Sequence, residues 1–168
     1  MAQDNYGTPK AIFDALDAEF NFFFDICASD TNHKCFDYFT IDDDALTKQW
    51  AKETNHIIEG TYIWCNPPYS NITPWVRKAQ ESQINGVGVV MLIMADPSVN
   101  WFKEALQTAS EIRFIMGRIS FINDQGKAVT GNNKGSCVLV FDPHRIGTRH
   151  TTYVHRQDMI DKGVKRCS

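Results

Sequence analysis

The chain has 168 residues, 43% hydrophobic and 22% charged, with a formal net charge of −3. These are ordinary values for one soluble globular domain, long enough to bury a core. No apolar run approaches the roughly 20 residues that span a bilayer, and Met1-Ala2-Gln3-Asp4 has neither the basic nor the apolar part of a signal peptide. A membrane span and secretion are therefore excluded as expectations, and a cytoplasmic protein is expected.

The five cysteines are Cys27, Cys35, Cys65, Cys137 and Cys167. An odd count in an unsecreted chain argues for reduced thiols. Cys27, His33 and Cys35 lie close together, but there is no CxxC pair and no second cluster at zinc-finger spacing, so no metal is expected. The charge is uneven. Residues 1–60 hold 12 acidic and 4 basic side chains, and residues 61–168 hold 8 and 13. A basic second part can face phosphates, because such contacts need only one face. The plain alternative is solvated surface on both parts.

Thr8-Pro9 reads as a helix cap followed by proline at the first helical position. Ile12, Phe13, Leu16 and Phe20 then share one face, so a helix is expected over about 9–20. Phe22 to Ile26 is a short apolar strand candidate. Residues 27–42 are irregular, and Asp42-Asp43-Asp44 precedes Ala45-Leu46 as acids would at a helix start. Tyr62-Ile63-Trp64 is a strand that delivers Asn66. Thr73-Pro74 repeats the cap-then-proline signal. Val87–Met94 is an unbroken apolar run that suits a central strand buried on both faces. A helix follows around Trp101 to Leu106. Strands are expected at Glu111–Met116, at Ile119–Ile122 and at Cys137–Phe141. Residues 123–136 form a polar, Gly-rich loop, and 143–168 a polar basic tail on, or packed against, a compact 1–142 domain. Strands alternating with helices give an α/β fold with a mainly parallel central sheet flanked by helices. Ligands in such sheets sit at the carboxyl ends of the strands. Asp25 to Ser29, Asn66 to Tyr69, and Ala95-Asp96 all follow strands and should share that edge.

Asn66-Pro67-Pro68-Tyr69 is the stretch with the most chemistry. Two prolines stiffen it and remove two backbone donors, and Asn66 is held extended by the proline that follows. The Asn66 side-chain oxygen and the Pro67 carbonyl can accept the two N–H groups of an exocyclic amine. That amine is a poor nucleophile because its lone pair is delocalised into the ring. Localising the pair as attack begins is stabilisation aimed at the transition state. Tyr69 can stack on the base, flipped out of a duplex if need be. These residues suit adenine and cytosine almost equally.

The same stretch matches the [DNS]PP[YFW] motif of amino-methyltransferases that use S-adenosylmethionine. Over roughly residues 5–141 the chain resembles the compact phage DNA adenine methyltransferases, which are similar to Dam. The likeness is carried by Tyr6-Gly7-Thr8-Pro9, Asp25-Ile26-Cys27-Ala28-Ser29, Asp43-Asp44-Ala45-Leu46, Cys65 to Ser70 and Gly117-Arg118-Ile119-Ser120-Phe121, in the family's order. It implies a Rossmann-like fold and methyl transfer from S-adenosylmethionine to adenine in DNA, leaving S-adenosylhomocysteine. It also implies the bacterial host cytoplasm as the place of action, with monomer or homodimer open. Asn66, Pro67, Pro68 and Tyr69 would be catalytic. Tyr6, Thr8, Pro9, Asp25, Cys27, Ala28, Ser29, Asp44, Ala45, Leu46 and Asn66 would line the donor site. Phe121 would be a second plate against the base. The basic second part would face DNA phosphates through Arg118, Lys127 and Lys134. One departure concerns the donor loop. Cys27-Ala28-Ser29 has no glycine, where many methyltransferases carry a G-x-G turn for close backbone approach.

Each role has a plain rival. Asp44 is a helix cap as readily as a donor ligand, Asp25 a structural acid, and Phe121 core. Arg118, Lys127, Lys134 and the cations from His144 to Arg156 are equally read as solvated charges. RNA adenine, the cytosine amine and a protein glutamine amide are alternative substrates, and a non-catalytic nucleic-acid-binding decoy is the more distant alternative.

Overall fold

In the computed structural model, residues 6–54, 60–129 and 133–166 are described. Cys167 and residues 130–132 of the polar loop lie outside them. The apolar run becomes strand β4 (Gly88–Met94), whose side chains are buried from Gly88 to Ile93. The other strands are β1 (Phe22–Asp25), β2 (Asp37–Tyr38), β3 (Tyr62–Cys65), β5 (Glu111–Met116), β6 (Ser136–Phe141) and β7 (His150–His155). They form one sheet in the order β2-β1-β3-β4-β6-β5-β7. Only β6 runs against its neighbours. The other strands point the same way.

Successive strand residues face opposite sides of a sheet, and the core divides accordingly. Val89, Met91 and Ile93 of β4 face one layer, with Cys137, Leu139 and Phe141 of β6. That layer holds helices α3 (Thr73–Ile84) and α4 (Asn100–Ala105), through Val76, Ala79, Trp101, Phe102 and Ala105. Val90, Leu92, Val138 and Val140 face the other layer, which holds α1 (Lys10–Phe20) through Ile12, Phe13, Leu16 and Phe20. The short α2 (Trp50–Glu53) buries Trp50 in the first layer.

Residues 150–166, read from the sequence as tail, form β7 and the helix α5 (Arg156–Arg166). Strand β7 pairs in parallel with β5 over all six residues. Helix α5 packs on α1 and contributes the buried Met159 to the second layer. Gly163 allows this approach, because a β-carbon there would run into the backbone carbonyl of Ala11. Arg113 ties α1 to the sheet with a two-pronged bond to Glu19, at 2.7 Å on each arm, and a further bond to Glu111.

Three local expectations change. Neither threonine caps its helix. Pro9 occupies the cap position of α1 with ψ 139°, and α3 already begins at Thr73 with Pro74 inside its first turn. The stretch after the three acids is no single helix. Asp44 has φ 48°, in the left-handed region, and separates two 3-10 turns, Ile41–Asp43 and Ala45–Thr47. Ile119–Ile122 is not a strand. Gly117 turns the chain at φ 90°, and only Ile122 makes bridges, to Gly7 and Ala128.

Candidate active site

Strands β1, β3 and β4 run in parallel with Asp25 beside Trp64 and Cys65 beside Met91. Their following loops therefore emerge at one edge. The loop after β1 is organised by Asp25, which is only 2% exposed. Its carboxylate accepts the backbone N–H groups of Cys27 at 3.2 Å and Lys34 at 2.9 Å. Burial raises its pKa to about 6 against the lowering effect of those bonds. Further on, Ala28 donates to the Phe39 carbonyl, and Ser29 and Asn32 exchange backbone bonds. The loop is thus held by hydrogen bonds without glycine. It faces the 3-10 turns across a cleft. Capping of the first turn falls to Asp43, which accepts from Thr40. Asp44 makes no side-chain cap bond and lines the cleft.

The loop after β3 forms one end of this cleft through Asn66 and Pro68. The Asn66 side-chain Nδ2 donates to the backbone carbonyl of Tyr6 at 2.7 Å. A carbonyl can only accept, so the amide orientation is fixed and Oδ1 is the free end. The same loop contributes Tyr69 to a second cleft, walled by Tyr6, Tyr69, Met94, Phe121 and Val129. Tyr69 and Phe121 meet edge to face, with ring centres 6.1 Å apart at 89°. The Tyr69 hydroxyl is buried without a partner among the described residues, and burial pushes its pKa up. Cys27 and Cys65, both free, bring their sulfurs to 3.7 Å where the first and second loops touch.

The family model described as DNA N-6-adenine-methyltransferase (Dam) matches residues 1–166. The chain belongs to this family. It is 34% identical to the DNA N-6-adenine-methyltransferase of Haemophilus phage HP1, over 96% of this chain and 92% of that protein. It is 31% identical to the protein of the same name from Escherichia phage T1, over 90% of this chain and 68% of that protein.

Of the donor-site residues inferred from the family likeness, Tyr6, Cys27, Ala28, Ser29, Asp44, Ala45, Leu46 and Asn66 line the first cleft. Asp25 stands behind it, bonded to the loop. Thr8 and Pro9 line neither cleft, although the Thr8 hydroxyl is buried and has no partner among the described residues. Phe121 is 2% exposed and still forms a wall of the second cleft, so it is both core and lining. Lys134 reaches that cleft while bonded to Asp96 at 2.7 Å, and with Ser98 it holds the Asp96 carboxyl down to about 2. Lys127 and Arg118 are exposed and line neither cleft.

Sequence reasoning missed Ile41, Trp75 and Asp124 in the first cleft and Met94, Val129 and Asn133 in the second. Ile41 had a signal, as an apolar residue between polar neighbours that is 91% exposed. Asp124 had only its charge, alone in a loop of lysines.

The first cleft fits S-adenosylmethionine by its donor set. The Asp44 and Asp124 carboxylates line it, and neither has a hydrogen-bond or ion-pair partner among the described residues. The ligand's two positive centres suit such acids, and Trp75 and Ile41 offer apolar walls to its purine.

Proposed function

We propose that the chain transfers a methyl group from S-adenosylmethionine to the exocyclic amine of adenine in DNA. The observation that carries this is the position of Asn66–Tyr69 at two clefts, one lined by the acids Asp44 and Asp124 and one walled by aromatic rings. Membership of the family points to the same activity. The sheet, parallel but for one inserted antiparallel strand, is compatible with the Rossmann-like methyltransferase fold.

S-adenosylmethionine, when bound, supplies an electrophilic methyl group and leaves as S-adenosylhomocysteine. Asp44 and Asp124 hold its positive charge, and the 27–29 backbone with Leu46 shapes the cleft around it. Tyr69 and Phe121 wall the pocket of the flipped base. Asn66 Oδ1 and the Pro67 carbonyl accept the two N–H groups of the amine and turn its lone pair toward the methyl carbon. A C–N bond forms as the C–S bond breaks. The nitrogen gains positive charge during this step, so both acceptors bind the transition state more strongly than the ground state. The surplus proton, acidic on that nitrogen, passes to water. Lys134, Lys127 and Arg118 meet the phosphates and set the salt dependence of binding.

The test is labelled-methyl transfer to DNA, RNA and protein, by the wild type and by Asn66→Ala. Adenine in DNA is expected to be labelled, and the variant to lose roughly 100- to 1000-fold in kcat, as when one transition-state hydrogen-bond partner is removed. Its binding of S-adenosylhomocysteine is expected to persist. Label in RNA or protein but not DNA, or full activity in the variant, would overturn the proposal.

A further inference from the structure

The Asn66 loop does not itself choose between bases, since adenine and cytosine both present an amine beside a ring nitrogen. The second cleft goes further. Its walls are Tyr6, Tyr69, Phe121, Met94 and Val129, and among the described residues it offers few polar groups to a base. The Tyr69 hydroxyl is directed into the protein and buried. The Lys134 ammonium is held by Asp96. Asn133 stands apart. It lines the cleft, its side chain is exposed, and its amide has no partner among the described residues. A carboxamide offers two N–H donors and an acceptor, and asparagine amides pair with adenine by donating to a ring nitrogen while accepting from the amine.

We propose that Asn133 is a base-reading residue, whose side-chain N–H donates to a ring nitrogen of adenine next to the amine that Asn66 and Pro67 hold. This rests on the second cleft being the base pocket, as set out above. Both neighbouring ring nitrogens of adenine, N1 and N7, are acceptors. Cytosine has an acceptor on one side of its amine and a C–H on the other. A donor on the N7 side therefore separates adenine from cytosine, while a donor on the N1 side favours either base over one whose ring nitrogen carries a proton. Asn133 is exposed in the empty cleft, and a bound base covers it, so a base that cannot accept this bond leaves the covered amide unpaired.

The experiment uses duplexes whose adenine the wild-type protein methylates, found by mapping methylated positions on plasmid DNA. The target adenine is then replaced by 7-deazaadenine or 1-deazaadenine, each lacking one ring nitrogen. Asn133→Ala removes the amide, and Asn133→Asp keeps its shape and acceptor but not its donor. Both variants are expected to lose roughly tenfold in kcat/KM on adenine, the scale of one lost hydrogen bond, and to bind S-adenosylhomocysteine as the wild type does. One of the two deaza substrates should slow the wild type by the same factor and slow the variants no further. That substrate identifies the nitrogen. Wild-type rates in either variant, or losses that multiply for both analogues, would overturn the inference. A wild-type protein that labels no adenine would overturn the reading of the clefts and the inference with it.

Discussion

Asn66 and Asp25 show how differently two polar side chains at one sheet edge are used. Asn66 is clamped through its nitrogen to the Tyr6 carbonyl, which leaves its oxygen as the working end. Asn66→Asp keeps an acceptor but loses the donor to Tyr6 and sets two oxygens against each other. Its kcat is expected to fall between those of the wild type and Asn66→Ala, and steady-state kinetics of the three proteins will rank them. Asp25 is turned inward, and its pKa is raised from 3.8 to about 6 by burial. For an acid this sign means that the fold favours the protonated form. The stabilisation is complete below the unfolded pKa and is lost as pH rises through about 6. The shift corresponds to about 3 kcal/mol. Asp25→Asn should therefore lose this part of the pH dependence. Denaturant unfolding between pH 3.5 and 7 should show the wild type losing about 3 kcal/mol relative to the variant. A constant difference across that range would remove the titration from Asp25.

At the scale of elements, what the sequence discloses depends on burial. Strands β4 and β6 are buried on both faces and, apart from Ser136 at the start of β6, carry no polar side chain, so they stand out as runs. Strand β7 is exposed at His150 to Tyr153 and again at His155, so its residues carry no periodic signal. Strand β2 has two residues and exists only because β1 lies beside it. Helix α5 was hidden for another reason. Its apolar contribution is confined to Met159, Ile160 and the close approach at Gly163. That approach gives a prediction whose sign two effects contest. Alanine is the better helix former by about 1 kcal/mol, but its β-carbon would meet the Ala11 backbone, which cannot swing aside as a side chain does. Overpacking of this kind costs about 1–3 kcal/mol, so the clash outweighs the propensity. Gly163→Ala is expected to lower the unfolding midpoint by a few degrees. A raised midpoint would show that α5 shifts freely on α1.

Across the whole molecule, the candidate site is assembled from stretches far apart in the chain, and this decides which of its residues were legible. Asn66 to Tyr69 and Cys27 to Ser29 follow strands directly, so a parallel sheet places them together whatever the strand order. Trp75 and Asp124 reach the same cleft only because α3 begins at that edge and the 123–129 turn folds across it. No local pattern records such an approach. The same dispersal makes a donor a cross-link between the loop after β1, the 3-10 turns, the loop after β3 and the 123–129 turn. A ligand at 100 times its Kd stabilises the native state by about 2.7 kcal/mol, which for a chain of this size is a rise of roughly 5–10 °C in Tm. Saturating S-adenosylhomocysteine is expected to produce such a rise in the wild type and in Asn66→Ala. Asp44→Asn and Asp124→Asn remove the acidic charges of the cleft and should shrink the rise, more for S-adenosylmethionine with its sulfonium than for the uncharged thioether. Because Asp44 also holds a left-handed backbone at φ 48°, asparagine is the proper substitution, since it tolerates that conformation. The ligand-free Tm should then stay near that of the wild type, and only the ligand-induced rise should move. An undiminished rise in both variants would place the donor outside the cleft that these two acids line.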